Sequence, residues 1–171
     1  MRVQKVVRSA AALLCFNLSI FASAQGNSRE VHSKIPEIGT AAISAVSPKG
    51  KATVTIQTIV VDGDCQKACP TTRFLTETGA KRASVVQSLA ISVEGEPIVV
   101  PPFVYSGLFN VQWASLNYKN GTFNLEINEG TDQYLVHVYF DTKNGISRMT
   151  VYDYVAAKLV EDAHFYQAVL D

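Results

Sequence analysis

The sequence predicts an all-β fold: an antiparallel hairpin meander packed as a small sandwich or partly closed barrel, with a short C-terminal helix as an alternative for the last segment. Three observations carry this. Two Lys-Asn-Gly turns, Lys119-Asn120-Gly121 and Lys143-Asn144-Gly145, lie between apolar-polar alternating runs, and Asn-Gly in that setting is the strongest short hairpin signal. Residues 53–61 and 85–93 repeat with period two, the period of a half-buried strand. The chain is also enriched in Val, Ile, Thr, Tyr and Phe, which fit a pleated surface.

The N-terminus reads differently. Residues 1–8 hold Arg2, Lys5 and Arg8 without an acid, residues 9–21 are mostly apolar, and Ala22-Ser23-Ala24 precedes Gln25. A basic start, a short apolar run and a small-x-small end make a secretory signal peptide. The apolar run is shorter than the roughly 20 residues a membrane-spanning helix needs. Cleavage is therefore expected between Ala24 and Gln25, with export to the periplasm or the exterior. Cys15 lies inside the apolar run, not at the cleavage site where lipidation would require it, and leaves with the signal.

Removing residues 1–24 leaves 147 residues, the size of one domain. The basic count falls from 15 to 12 against 15 acids, a net charge of −3. Nucleic acid and anionic lipid call for clustered Lys and Arg, and the longest remaining basic run is Lys81-Arg82. Neither is an expected partner.

Residues 25–51 mix Ser, Gly, Pro, Lys and Glu without a sustained period and are expected to form an extended, partly disordered lead-in. The β-rich domain is then residues 52–171. Its first strand, residues 53–61, sets Val54, Ile56, Thr58 and Val60 on one face. Asp62-Gly63-Asp64 turns the chain into Cys65 and Cys69. Two cysteines in an exported chain suggest a disulfide, and so small a ring stabilises by only about 2 kcal/mol. A redox dithiol would normally use Cys-x-x-Cys at a helix start; here the spacing is one residue longer. A zinc site would need two further ligands, and none lies nearby in sequence. No metal or cofactor is expected.

Residues 71–77 read as a short strand. Val85, Gln87, Leu89, Ile91 and Val93 then alternate, Glu94-Gly95-Glu96-Pro97 interrupts, residues 98–100 resume, and Pro101-Pro102 ends the run, since proline donates no ladder hydrogen bond. A two-residue turn at Asn120-Gly121 pairs Lys119 with Thr122, Tyr118 with Phe123, Leu116 with Leu125, Ala114 with Ile127 and Trp113 with Asn128. One face is then apolar throughout, and a slip by one residue would set apolar against polar. The same turn at Asn144-Gly145 pairs Asp141 with Arg148, Phe140 with Met149 and Val138 with Val151. The two hairpins join through Glu129-Gly130-Thr131-Asp132 as a four-stranded meander over about residues 108–155. At the C-terminus Leu159, Ala163, Tyr166 and Leu170 fit a helical stripe, but alternation over residues 164–170 in a β domain favours a final strand.

Function is less legible. Beyond residue 24 the sequence holds no Gly-x-Ser-x-Gly, no glycine-rich phosphate loop after a strand, and no cysteine beyond the expected disulfide for nucleophilic catalysis. No catalytic residue is assigned. The candidate surface is His137 with Tyr139, Arg148 and Tyr152 across the hairpin, extended by Trp113, which could hold ring-shaped or anionic groups. The competing and favoured interpretation is that aromatics occupy both faces because a second layer covers them. His164 near Glu161 and Asp162 is a weaker acid/base or metal candidate, and His32 falls in the lead-in. The leading expectation is an exported, non-enzymatic binding or inhibitor-like protein that recognises a protein partner or small ligand by a sheet face or hairpin tips. The alternatives are an enzyme (a thiol–disulfide protein using Cys65 and Cys69, or a hydrolase with dispersed residues) and a structural subunit of a cell-envelope assembly.

Overall fold

Alternation along the chain becomes two inward-facing apolar surfaces. The computed structural model describes residues 30–62, 82–129 and 134–166. Among these residues ten strands run in chain order: β1 (Val31–Lys34), β2 (Gly39–Ser47), β3 (Gly50–Asp62), β4 (Arg82–Val93), β5 (Glu96–Ile98), β6 (Trp113–Lys119), β7 (Thr122–Glu129), β8 (Tyr134–Asp141), β9 (Gly145–Asp153) and β10 (Lys158–His164). A single 3₁₀ turn at Pro102–Val104 is the one helical element among the described residues. The strands form a six-stranded sheet, β1-β6-β7-β8-β9-β10, and a four-stranded sheet, β2-β3-β4-β5. Both are antiparallel. They form a sandwich not closed into a barrel.

The core lies between the sheets. Ile43, Val54, Ile56, Leu89, Ile91 and Val93 project from the smaller sheet towards Leu116, Phe123, Leu125, Ile127, Val138, Phe140 and Met149 of the larger one, all buried. Burying each such side chain stabilises by roughly 1.5–3 kcal/mol. Phe123 stacks on Phe140 with centroids 5.4 Å apart, and Tyr118 meets Phe123 edge-on at 5.0 Å.

The β6–β7 hairpin has the predicted register at every pair from Lys119↔Thr122 to Trp113↔Asn128. Asn120 and Gly121 both take positive φ, 54° and 89°, as a two-residue turn matched to strand twist requires. The β8–β9 hairpin does not follow its predicted register. Asp141 pairs with Gly145, Phe140 with Ile146, Tyr139 with Arg148 and Val138 with Met149. The cause is Asp141, whose Oδ1 accepts the Lys143 and Asn144 N–H groups at 2.7 Å each while Oδ2 accepts Asn144 Nδ2 at 3.0 Å. These bonds close a longer turn in which Gly145, φ 62°, is left-handed and Asn144 is not. A bulge beyond Phe140 then leaves Ser147 unpaired. Turn and bulge together displace the register by two, so the faces are as predicted while the partners are not. The expected Asp141–Arg148 charge pair is not formed.

Three further expectations change. Residues expected as lead-in supply β1, β2 and the start of β3, with Ile35, Ala41, Ile43 and Ala45 in the core. Their small alanines and serines concealed a period-two pattern. In β4 a bulge between Val86 and Ser88 leaves Gln87 extra, so Val86, not Val85, joins the core at that end. The last segment is a strand and not the alternative helix, but it runs over Lys158–His164 and not over the expected residues 164–170, of which residues 167–170 lie outside the described residues. Cys65, Cys69 and the expected strand at residues 71–77 lie outside the described residues.

Candidate surface on the six-stranded sheet

The outer face of the larger sheet is built by register. Cross-strand pairs His32↔Ser115, Ser115↔Glu126, Glu126↔His137, His137↔Thr150 and Thr150↔Asp162 form one polar row across all six strands. On one side runs Asn117–Asn124–Tyr139–Arg148–His164; on the other, Lys34–Trp113–Asn128–Leu135–Tyr152–Leu159. The three histidines of the chain all project from this face. Ser115, Asn128, Leu135 and Thr150 are buried on this face, whereas its rings and charged groups, with Leu159, are at least partly exposed.

The predicted surface residues share this face but form separate groups. His137 and Tyr139 stack nearly parallel, 11° between planes and 6.1 Å between centroids, with the Arg148 guanidinium 5.9 Å from the Tyr139 centroid. Trp113 lies two strands from His137, and its neighbour is the His32 ring at 5.8 Å. Tyr152 packs edge-on to Tyr154 at 5.5 Å.

Electrostatics refine the chemistry. Burial pulls the His137 imidazole below its ordinary pKa, and Glu126, whose Oε1 is 3.6 Å from Nδ1, only partly offsets this. The ring is thus neutral at neutral pH. Its Nδ1 is buried without a hydrogen-bond partner. Arg148 donates from Nε and Nη2 to Asp162, both at 2.8 Å, and these bonds hold the Asp162 carboxyl below its usual range. His164 Nε2 lies 3.3 Å from the same carboxylate. Arg148 is therefore already matched by an anion. The face suits a planar, uncharged group better than the anion that Arg148 alone suggested.

Sequence reasoning passed over Glu30 and Glu126, left His32 in the lead-in, and named Asp162 only beside His164. Glu30 Oε1 accepts Ser115 Oγ at 2.8 Å and lies 3.2 Å from His32 Nε2. The i, i+2 spacing of Glu30/His32 and of Asp162/His164 puts each pair on one side of a strand, a signal that was available. Glu126 beside His137 needed the β7–β8 register.

A second concavity lies where the chain crosses between sheets, a groove of about 770 Å³ lined by Lys34, Ile35, Pro36, Glu37, Ser84, Asn110, Val111 and Gln112. Asn110, at φ 50°, donates its N–H to the Ser84 carbonyl at 2.7 Å and accepts the Ser84 N–H on Oδ1 at 3.1 Å. Ser84 Oγ donates to the Glu37 carbonyl at 2.6 Å. Much of the groove's polar wall is thus engaged within the fold. Among the described residues no group of three or more His, Cys, Asp or Glu is placed to hold a metal ion. No protein-family model, curated protein or solved structure matches the chain.

Proposed function

We propose that this is an exported, non-enzymatic binding protein that holds a planar group of a ligand or partner against the outer face of its six-stranded sheet. The observation that carries this is the parallel His137–Tyr139 stack, partly exposed. Aromatic faces reward a third ring by about 0.5–1.5 kcal/mol beyond the area buried. Arg148, fixed by Asp162, adds a rigid planar cation beside the rings. Export is supported by the basic, apolar and Ala22-Ser23-Ala24 segments at the start of the chain.

The test is affinity capture from the native envelope fraction, identified by mass spectrometry, with wild type beside a His137→Ala/Tyr139→Ala variant. Wild type should retain a species that the variant loses while its melting profile stays cooperative. Equal retention by both would remove this face from the function.

A further inference from the structure

Among the described residues four strands terminate the two sheets, and three of them carry a device against further pairing. β5 is three residues long and contains Pro97. β1 is four residues long and holds His32 and Lys34. β10 is interrupted by a bulge between Leu159 and Glu161 and carries Lys158, Glu161 and Asp162. Charges, prolines, bulges and shortness are the means by which natural edges avoid recruiting another strand. β2 has none of them. Its nine residues, Gly39–Ser47, include no charge and no proline, and its register with β3 is unbroken.

The direction of its free hydrogen-bonding groups follows from the ladder. Glu94 donates its N–H to the Lys51 carbonyl at 2.8 Å, so Lys51 and Glu94 are a hydrogen-bonded pair and Ala52↔Val93 is not. Antiparallel pairs alternate in this respect. Ala52, Val54 and Ile56 therefore turn their backbone groups to β2, where Ala45, Ile43 and Ala41 meet them. The N–H and C=O groups of Thr40, Ala42, Ser44 and Val46 point away from the sheet.

We propose that β2 pairs antiparallel with β2 of a second copy about a twofold axis at Ile43, joining two four-stranded sheets into one of eight. The outward groups are self-complementary in that register: Thr40 meets Val46 of the second copy, Ala42 meets Ser44, and each such pair exchanges two hydrogen bonds. No charge faces another. The same register sets Ile38 of one copy diagonally beside Val46 of the other, and these two, 63% and 67% exposed, lie just before β2 and near its end. An edge-to-edge contact is small, so exchange between monomer and dimer is expected. The dimer leaves the His137–Tyr139 face free, since that face belongs to the other sheet.

Sedimentation velocity over roughly 1 µM to 1 mM covers the affinities of small interfaces and tests this on the purified protein. Wild type should dimerise with concentration. Thr40→Glu/Val46→Glu sets like charges opposite each other at both ends of the interface and should weaken the dimer at least about tenfold. Thr40→Lys/Val46→Glu sets opposite charges there and should recover it. Ala42→Pro removes an N–H that the monomer does not use and should abolish pairing, which decides the matter if the double-glutamate variant fails to fold by circular dichroism. A wild type that is monomeric throughout, or a dimer indifferent to both Thr40→Glu/Val46→Glu and Ala42→Pro, overturns the proposal. Failure of the opposite-charge variant to recover the dimer overturns the register.

Discussion

Glu129 stands where the sequence would not place a carboxylate. It lies on the inner face of β7, 3% exposed, with Oε1 accepting the Phe109 N–H at 3.4 Å and Oε2 buried without a hydrogen-bond partner. Burial pushes its pKa up to about 8, against a smaller opposing pull from the Phe109 N–H. It is thus largely protonated in the folded protein at neutral pH and ionised when unfolded. A group raised in the folded state leaves stability intact below its unfolded value and erodes it as pH climbs through the folded one. The erosion should run from about pH 4.5 to about pH 8 and total a few kcal/mol, on the order of 4–5 at most. Glu129→Gln keeps an oxygen for the Phe109 N–H and removes the ionisation. Urea midpoints should then match wild type near pH 4 and exceed it near pH 8; parallel pH profiles for the two proteins would refute the assignment.

At the scale of elements, two Lys-Asn-Gly hairpins with the same turn tripeptide adopt different turns, and the difference resides in one side chain. Asp141 caps the second turn, whereas in the first the strain-tolerant pair Asn120-Gly121 sits directly between paired strand ends. A Cβ added at Gly121 would meet nothing within 4 Å, yet φ there is +89°. Any penalty for a larger residue is therefore backbone strain alone. Gly121→Val should cost about 1–3 kcal/mol. Phe123→Ala, two residues on and 1% exposed, should cost about 3–5 kcal/mol by leaving a cavity against Tyr118 and Phe140. Denaturant midpoints give both values. A Gly121→Val protein as stable as wild type would mean that the turn does not require positive φ.

For the whole molecule, the strands that the composition disguised prove integral. β1 and β2 sit at corresponding ends of the two sheets, and Ile35, between them, is buried in the shared core. Removing the chain up to Ser47 would uncover Ala52, Val54 and Ile56 on β3 and Ala114 and Leu116 on β6, all 0% exposed. Several such side chains at roughly 1.5–3 kcal/mol each approach the whole 5–15 kcal/mol by which a domain of this size is stable. A chain beginning at Pro48 should therefore lose cooperative thermal unfolding in circular dichroism. If it melted like the parent, these strands would be the dispensable lead-in that their composition suggested.

The all-β class, the four-stranded meander, the β6–β7 register and the placing of His137, Tyr139 and Arg148 on one face were determined by the sequence, because each depends on period-two alternation and local turn chemistry. Tertiary structure alone decided the rest. Whether alanines and serines at residues 39–47 form a strand depends on the sheet that accepts them, since small residues carry almost no hydrophobic period. The bulge beside Gln87 reversed one face assignment, and the Asp141-capped turn with the bulge beside Ser147 reassigned one set of partners. Arg148 meets Asp162, and His137 meets Glu126, only once the β9–β10 and β7–β8 registers are fixed. Glu129 is buried because the segment carrying Phe109 crosses over it. Electrostatic partners and burial are set by distances in space, and a pattern along the chain holds none of them.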